Sequence, residues 1–292
     1  MFISLETNNH CNANCLFCRN EKGDLHDANP NGSGIAKGIM PTSMAKNIID
    51  QLSKYALIAV LYTNGEPLLH ADLTNLVDYA TKKNLSTMIA TNGLALDENK
   101  SKALLESGID FIKIALSGYT QKTYQVQVRN GDVEKVKTNI QNLVRINNAL
   151  GQKTIIMIDY ILYKFNASEL KSIKNFCNSL GIMLNIRPGN PFGGLENTES
   201  TLTKETLPLK ISCDWLWKGM QINWNGDILP CCECTSWSGS KPYERFVEQQ
   251  TDLLKVWNEN QAQKMRHLMT QKGRKSIDVC SACLRKGIAF KW

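Results

Sequence analysis

Cys11, Cys15 and Cys18 lie in the run Cys-Asn-Ala-Asn-Cys-Leu-Phe-Cys, with three residues and then two between them. Thiols this close in sequence serve a disulfide framework or metal chemistry. Ten cysteines in 292 residues, behind a start with no basic leader and apolar stretch, do not describe a small secreted domain. Metal or redox chemistry is the better default. Three thiolates give a four-iron cluster three protein ligands and leave one iron open to a small molecule. They also begin a zinc site, with His10 or His26 as the fourth ligand that closed tetrahedral coordination needs. Six more cysteines crowd the tail: Cys213, Cys231, Cys232, Cys234, Cys280 and Cys283. Cys177, beside Phe176 on an expected helix, reads as core.

The elements that must position these groups follow from the hydrophobic pattern. Short apolar runs at residues 3–6, 57–62, 87–90, 111–116, 155–162 and 183–186 alternate with helical stretches at 42–52, 73–83, 98–107, 133–150 and 168–180. Six strands separated by helices require right-handed crossovers and a parallel sheet. An open doubly wound sheet and a barrel both fit, and in either the ligands gather at the carboxyl ends of the strands. The polar stretch from Gly23 to Gly38 is expected to be a mobile excursion, and Gly189 to Thr206 a linker. Beyond it, Asn225-Gly226 between two apolar runs is a hairpin signal, because both central residues of such a turn need positive φ. A small cysteine-bearing unit is therefore expected over 207–292, after a first domain at 1–190.

The CxxxCxxC spacing, with Phe17 just before the last cysteine, resembles that of radical S-adenosylmethionine (SAM) enzymes, and the resemblance runs through the first 190 residues. It implies a partial (β/α)6 barrel of the α/β class. It also implies a four-iron cluster on Cys11, Cys15 and Cys18, whose open iron takes the amino and carboxylate groups of SAM. Asn64-Gly65-Glu66-Pro67 resembles the family's Gly-Gly-Glu-Pro motif for the SAM amino group, with Asn64 in place of the first glycine. Thr91-Asn92-Gly93 resembles the Thr-Asn-Gly near the ribose and methionine part. Ser117, in Ala115-Leu116-Ser117-Gly118, stands where a ribose contact is expected. Arg129 resembles the arginine that pairs with the SAM carboxylate.

The tail resembles the auxiliary-cluster domains called SPASM and, in the short form, Twitch. Only nine residues follow Cys283, none a cysteine, so the short form with one auxiliary four-iron cluster is expected. Cys213, Cys231, Cys280 and Cys283 are the implied ligands, and a zinc ribbon on the same four is the alternative. Cys232 and Cys234 are surplus: buried structural thiols, or donors of a hydrogen atom to a substrate radical. The build resembles the 2-deoxy-scyllo-inosamine dehydrogenase and neomycin C epimerase types. That implies hydrogen abstraction from a small sugar- or aminocyclitol-like substrate, ending in oxidation or epimerisation. Modification of a ribosomal peptide is the alternative; a zinc-binding interaction protein and an iron–sulfur electron carrier are the rivals of another class. Arg187, at the end of the sixth strand, is the candidate for substrate contact.

The net charge of +7 is modest. Its densest part, Lys264, Arg266, Lys272, Arg274 and Lys275, reads as a solvated face, or as a docking patch for an acidic electron donor such as flavodoxin or ferredoxin. No aromatic-interleaved basic stripe supports nucleic acid as a partner. No run of 18 apolar residues offers a membrane span, and a cytoplasmic location is expected.

Overall fold

The computed structural model describes residues 1–20, 22–28, 31–188 and 213–283. The apolar runs form six parallel strands: β1 (Phe2–Leu5), β2 (Ile58–Val60), β3 (Ser86–Thr91), β4 (Phe111–Leu116), β5 (Ile155–Leu162) and β6 (Met183–Pro188). They stand in the order β6-β5-β4-β3-β2-β1. Between them run the helices α1 (Thr42–Leu52), α2 (Leu73–Lys82), α3 (Glu98–Glu106), α4 (Gln121–Gln127), α5 (Val133–Ala149) and α6 (Leu170–Leu180). Asp97, Thr120 and Asp132 start α3, α4 and α5 by accepting from the backbone N–H of Lys100, Thr123 and Lys135. Gly181, at φ 65°, ends α6 in a left-handed cap.

Side chains alternate across a strand, so each strand serves two environments. Ile3, Leu5, Ala59, Ile89, Ile112, Ile114, Ile156 and Ile158 are buried in one core with Ile48, Ile49, Leu76, Val77, Val136, Ile140 and Leu143 of the helices. Each such Ile, Leu or Val side chain contributes about 1.5–3 kcal/mol when fully buried. Cys177 is in this core too, 1% exposed, as the sequence implies. The opposite face carries Lys113, Asp159 and Arg187 and forms the wall of an open, barrel-like lumen.

The tail extends this sheet. After the short helix α7 (Trp215–Lys218), strand β7 (Gly219–Ile222) pairs parallel with β1 from Phe2↔Gly219 to Leu5↔Ile222. An unclosed barrel leaves the backbone groups on the free edge of β1 without partners, and β7 satisfies them. Strands β8 (Asp227–Leu229) and β9 (Glu244–Arg245) continue antiparallel to make nine. Helices α8 (Leu253–Asn258), α9 (Asn260–Lys272) and α10 (Asp278–Ala282) follow.

The β7–β8 hairpin forms where expected, by a different turn. Gly226 has φ +87°, but Asn225 is not among the residues with positive φ. The Asn225 side chain instead accepts from the Asp227 N–H at 3.1 Å, and the wider loop lets one glycine close the turn. The linker expected at Gly189 to Thr206 lies outside the described residues. No described helix is long and apolar enough to cross a membrane.

Candidate active site

Beyond β1 the chain enters the cysteine loop, which three other strand ends hold in place. Gly65 lies directly against its backbone: a Cβ there would stand 2.4 Å from the Asn8 carbonyl oxygen and 2.7 Å from Asn9 Cα. Only glycine permits that approach. The Glu66 N–H donates to the His10 carbonyl at 2.8 Å, and Asn8 Nδ2 donates back to the Glu66 carbonyl at 3.0 Å. Arg129 clamps the loop from beyond α4, donating to the carbonyls of Asn14, Arg19 and Asn20 and to Asn14 Oδ1.

The three thiols of this loop act on one another. Burial, and then the neighbouring Cys18 and Cys11, push Cys15 up to about 12. Burial pushes Cys18 up to about 11 and also raises Cys11. The Arg19 guanidinium opposes the shift at all three, and Arg129 opposes it at Cys15. Iron binds the thiolate, so a cluster held here would displace protons and add positive charge beside the three sulfurs. Arg19 is 3% exposed and donates to the carbonyls of Asn9 and Gly23, while its Nε is buried with no partner among the described residues. The sequence reading missed Arg19.

Glu66 is 1% exposed, and burial raises its carboxyl. It accepts from Thr91 Oγ1 at 2.7 Å, from the Asn92 N–H at 2.8 Å and from the Leu68 N–H at 3.1 Å, where Pro67 opens a short 3-10 turn. Glu66 therefore fixes the Thr91-Asn92 turn, and Asn92 Nδ2 reaches Asn12 at 2.8 Å and the Cys11 sulfur at 3.6 Å. Ser117, at the end of β4, is 3% exposed, and its hydroxyl has no partner among the described residues. An orphan buried hydroxyl costs about 1–3 kcal/mol, and a ribose hydroxyl is a group that could satisfy it. Phe17 stacks on Tyr163 at 4.9 Å, which pins the last turn of the loop to the end of β5.

In the tail, Cys231 Sγ lies 3.7 Å from Cys234 Sγ. Their shared hydrogen bond lowers Cys231 and raises Cys234. Cys280, pushed up to about 12 by burial, also feels Cys231, Cys213 and Cys283. Five tail cysteines thus converge, the four expected ligands and Cys234. Cys232 begins the next turn and accepts at its carbonyl from Thr235 Oγ1. Arg274, 8% exposed, donates Nη2 to the carbonyls of Cys280 and Cys283. Among the described residues no three potential ligands stand as closely as those of a single ion; in a cubane each thiolate takes its own iron.

The two cysteine regions are joined through Asn64. Its Nδ2 donates to Glu6 Oε1 at 3.0 Å and to Thr235 Oγ1 at 2.7 Å, and its Oδ1 accepts from Ser236 Oγ at 3.2 Å. The residue that departs from the glycine motif is engaged with the tail. Glu6, 1% exposed, is pushed up to about 7 by burial, against hydrogen bonds from Trp224 N–H and Asn64. A cavity of about 200 Å³ opens beside it, lined by Asn9, Trp224, Cys234 and Trp237 among others.

Arg187 faces the lumen. Its Nε donates to Asp159 Oδ2 at 2.9 Å, Lys113 Nζ stands 3.8 Å from the same oxygen, and Asn185 Nδ2 donates to Oδ1 at 2.7 Å. Lys113 and Asp159 were not singled out, although a lone charge inside the apolar runs Phe-Ile-Lys-Ile-Ala-Leu and Ile-Ile-Met-Ile-Asp-Tyr-Ile-Leu is a readable signal. The basic patch needs correction. Arg266 donates to the carbonyls of Leu216 and Trp257 and stacks on Trp257 at 4.2 Å, and Arg274 turns inward. Only Lys264, Lys272 and Lys275 of the five remain exposed. Desolvation of a guanidinium is offset best by several carbonyls at once, which the short helices α7, α8 and α10 provide here.

A family model of the radical SAM superfamily matches residues 5–177. The chain belongs to that superfamily. A model of an iron–sulfur cluster-binding domain, SPASM, matches residues 213–284. Among curated proteins the chain is similar to a probable GTP 3′,8-cyclase of Methanocaldococcus jannaschii, 24% identical over 63% of this chain and 57% of the relative. The chain thus spans little more than half the length of that relative. Among solved structures it is similar to BtrN in complex with AdoMet and 2-DOIA, with a TM-score of 0.60 and 19% identity, covering 96% of this chain and 90% of that one. It is also similar to Streptococcus suis SuiB bound to S-adenosylmethionine, with a TM-score of 0.71 and 15% identity, covering 97% and 72%. At these identities the structures establish the shared fold.

Proposed function

We propose that this radical SAM enzyme removes a hydrogen atom from a carbon of a small, sugar-like substrate held in the lumen, and that the tail carries an auxiliary four-iron cluster. The observation that carries the reading is the convergence, at one end of the sheet, of the Cys11–Cys18 loop, the Glu66 and Asn92 turns, Arg129 and the orphan hydroxyl of Ser117. When bound, a four-iron cluster with one open iron and SAM supply, on one-electron reduction, methionine and a 5′-deoxyadenosyl radical.

The chain's own residues hold and orient. Cys11, Cys15 and Cys18 offer three thiolates, with Arg19 and Arg129 as counter-charges. Glu66 and Asn92 set the floor of the SAM pocket, with Thr91 locked between Glu66 and the Gly93 N–H. Ser117 serves the ribose, and Phe17 closes one side against Tyr163. Lys113, Asp159, Asn185 and Arg187 give the substrate a hydrogen-bonding wall that suits a polyhydroxylated molecule.

Cys213, Cys231, Cys280 and Cys283 hold the auxiliary cluster. Cys234, 4% exposed and hydrogen-bonded to Cys231, is a ligand or a structural thiol in this arrangement. For oxidation, an auxiliary cluster held by these cysteines would take the electron that the substrate radical gives up along with a proton, whereas epimerisation needs a thiol hydrogen donor such as Cys232. Turnover in heavy water separates the two. A product two hydrogens lighter marks oxidation, and solvent deuterium in a product of otherwise unchanged mass marks epimerisation. A substrate recovered with neither change contradicts the reading.

A further inference from the structure

The lumen wall carries two cations and one carboxylate. Asp159 lies on β5 with its side chain 2% exposed, so its charge must be matched within the protein. Both of its oxygens are taken: Oδ1 accepts from Asn185, and Oδ2 accepts from Arg187 and faces Lys113. The cations are not used up. Arg187 spends one of its five N–H donors on Asp159, and among the described residues nothing else accepts from its guanidinium. Its side chain is 44% exposed. Lys113 stands 3.8 Å from Asp159, beyond a close hydrogen bond, and its ammonium rests 5.4 Å from the centre of the Tyr62 ring. What the two cations offer a ligand is therefore donors, around a cluster whose formal charge is +1.

Register sets the height of this cluster in the lumen. Leu116 pairs with Tyr160 and Ile161 with Arg187, so Ser117 stands level with Ile161 and hence with Arg187. The two positions are two strands apart, about 10 Å across the sheet. Asp159 pairs with Ala115 and Asn185, two residues lower, and Lys113 lies below that. A group seated on Arg187 and Lys113 is thus held beside the proposed ribose contact at a separation a small molecule can span.

From these positions we infer that Lys113 and Arg187, held by Asp159, recognise an anionic group on the substrate, a phosphate or a carboxylate. The assignment rests on the lumen being the substrate site of the reaction proposed above. Arg187 supplies the planar fork that takes two oxygens at once, and Lys113 supplies a point charge. An ammonium-bearing aminocyclitol meets no unmatched negative charge on this cluster, whose single carboxylate already faces Arg187 and Lys113.

Anaerobic calorimetry on the iron-loaded, SAM-bound protein tests this with defined probes. Glucose 6-phosphate and inorganic pyrophosphate report on phosphate, glucuronate on carboxylate, and glucose and glucosamine serve as the neutral and cationic comparisons. One anionic class should bind at least about tenfold more tightly than glucose, and Arg187→Gln or Lys113→Met should each remove about tenfold, with SAM affinity unchanged. The preferred anion names the group. If Lys113→Met fails to fold, Arg187→Gln, altered at a half-exposed side chain, carries the test. Equal binding of glucose and the anions, no anion binding at millimolar concentration, or full anion affinity in Arg187→Gln overturns the assignment. Loss of 5′-deoxyadenosine formation would instead count against the radical reading, which these titrations do not measure.

Discussion

Replacing Arg274 with glutamine should lower the reduction potential of the auxiliary cluster without dismantling it. Arg274 is 8% exposed, donates to the carbonyls of Cys280 and Cys283 at 3.1 and 3.4 Å, and leaves Nη1 buried with no partner among the described residues. Its charge already lowers the Cys280 thiol against a larger effect of burial. A buried cation beside thiolates favours whichever cluster state carries more negative charge, and that is the reduced one. At an effective dielectric of about 20, a unit charge roughly 5.5–11 Å from the added electron favours the reduced state by about 1.5–3 kcal/mol. At 59 mV for each tenfold change in a one-electron couple, losing it from the reduced state lowers the potential by about 60–130 mV. The glutamine keeps a donor for the two carbonyls, so the loop should still close and iron content should stay full. Arg274→Lys should shift the potential less, because the charge stays. Anaerobic redox titration followed by electron paramagnetic resonance reads both clusters, with the SAM-binding cluster as the internal standard. An unchanged auxiliary potential in a fully iron-loaded Arg274→Gln protein would refute the reasoning.

Asn64→Gly restores the glycine of the family motif and removes the bonds to Glu6, Thr235 and Ser236. SAM affinity should change little, while the auxiliary cluster's resonance broadens or shifts; the reverse pattern would return Asn64 to the SAM pocket. Glu6, raised from 4.5 to about 7 by burial, favours the folded state most below pH 4.5, and that contribution fades as pH rises to about 7. Glu6→Gln should therefore flatten the pH dependence of thermal stability between those values, by up to about 3 kcal/mol. Melting curves with the same slope in both proteins would exclude Glu6 as the source.

Much of this was legible in the chain. The six barrel strands follow from apolar runs, and motif order singles out Cys11, Cys15, Cys18, Gly65, Glu66 and Arg129 as one site, but not that Arg129 holds the cysteine loop by its carbonyls. Two kinds of feature were hidden. The pairing of β7 with β1 joins residues more than 200 positions apart through backbone groups, and no side-chain pattern announces it. The double use of a motif position was also invisible: Asn64 looks like a mild departure until Thr235 and Ser236 are beside it. Arg266 and Arg274 read as surface charge because sequence cannot show the carbonyls of Leu216, Trp257, Cys280 and Cys283 turned toward them. Asp159 and Lys113 could have been found, since a solitary charge in a buried strand must meet a partner or a ligand.

The central claim is that Cys11, Cys15 and Cys18 start a SAM-derived radical. Its most direct measurement is chromatographic detection of 5′-deoxyadenosine after the anaerobic, iron-loaded protein is mixed with SAM and dithionite. The wild-type chain should form it, and Cys15→Ala should not, while Cys280→Ala retains some uncoupled cleavage. A fully iron-loaded wild-type protein that leaves SAM intact, or a Cys15→Ala variant that cleaves it as fast, would contradict the account.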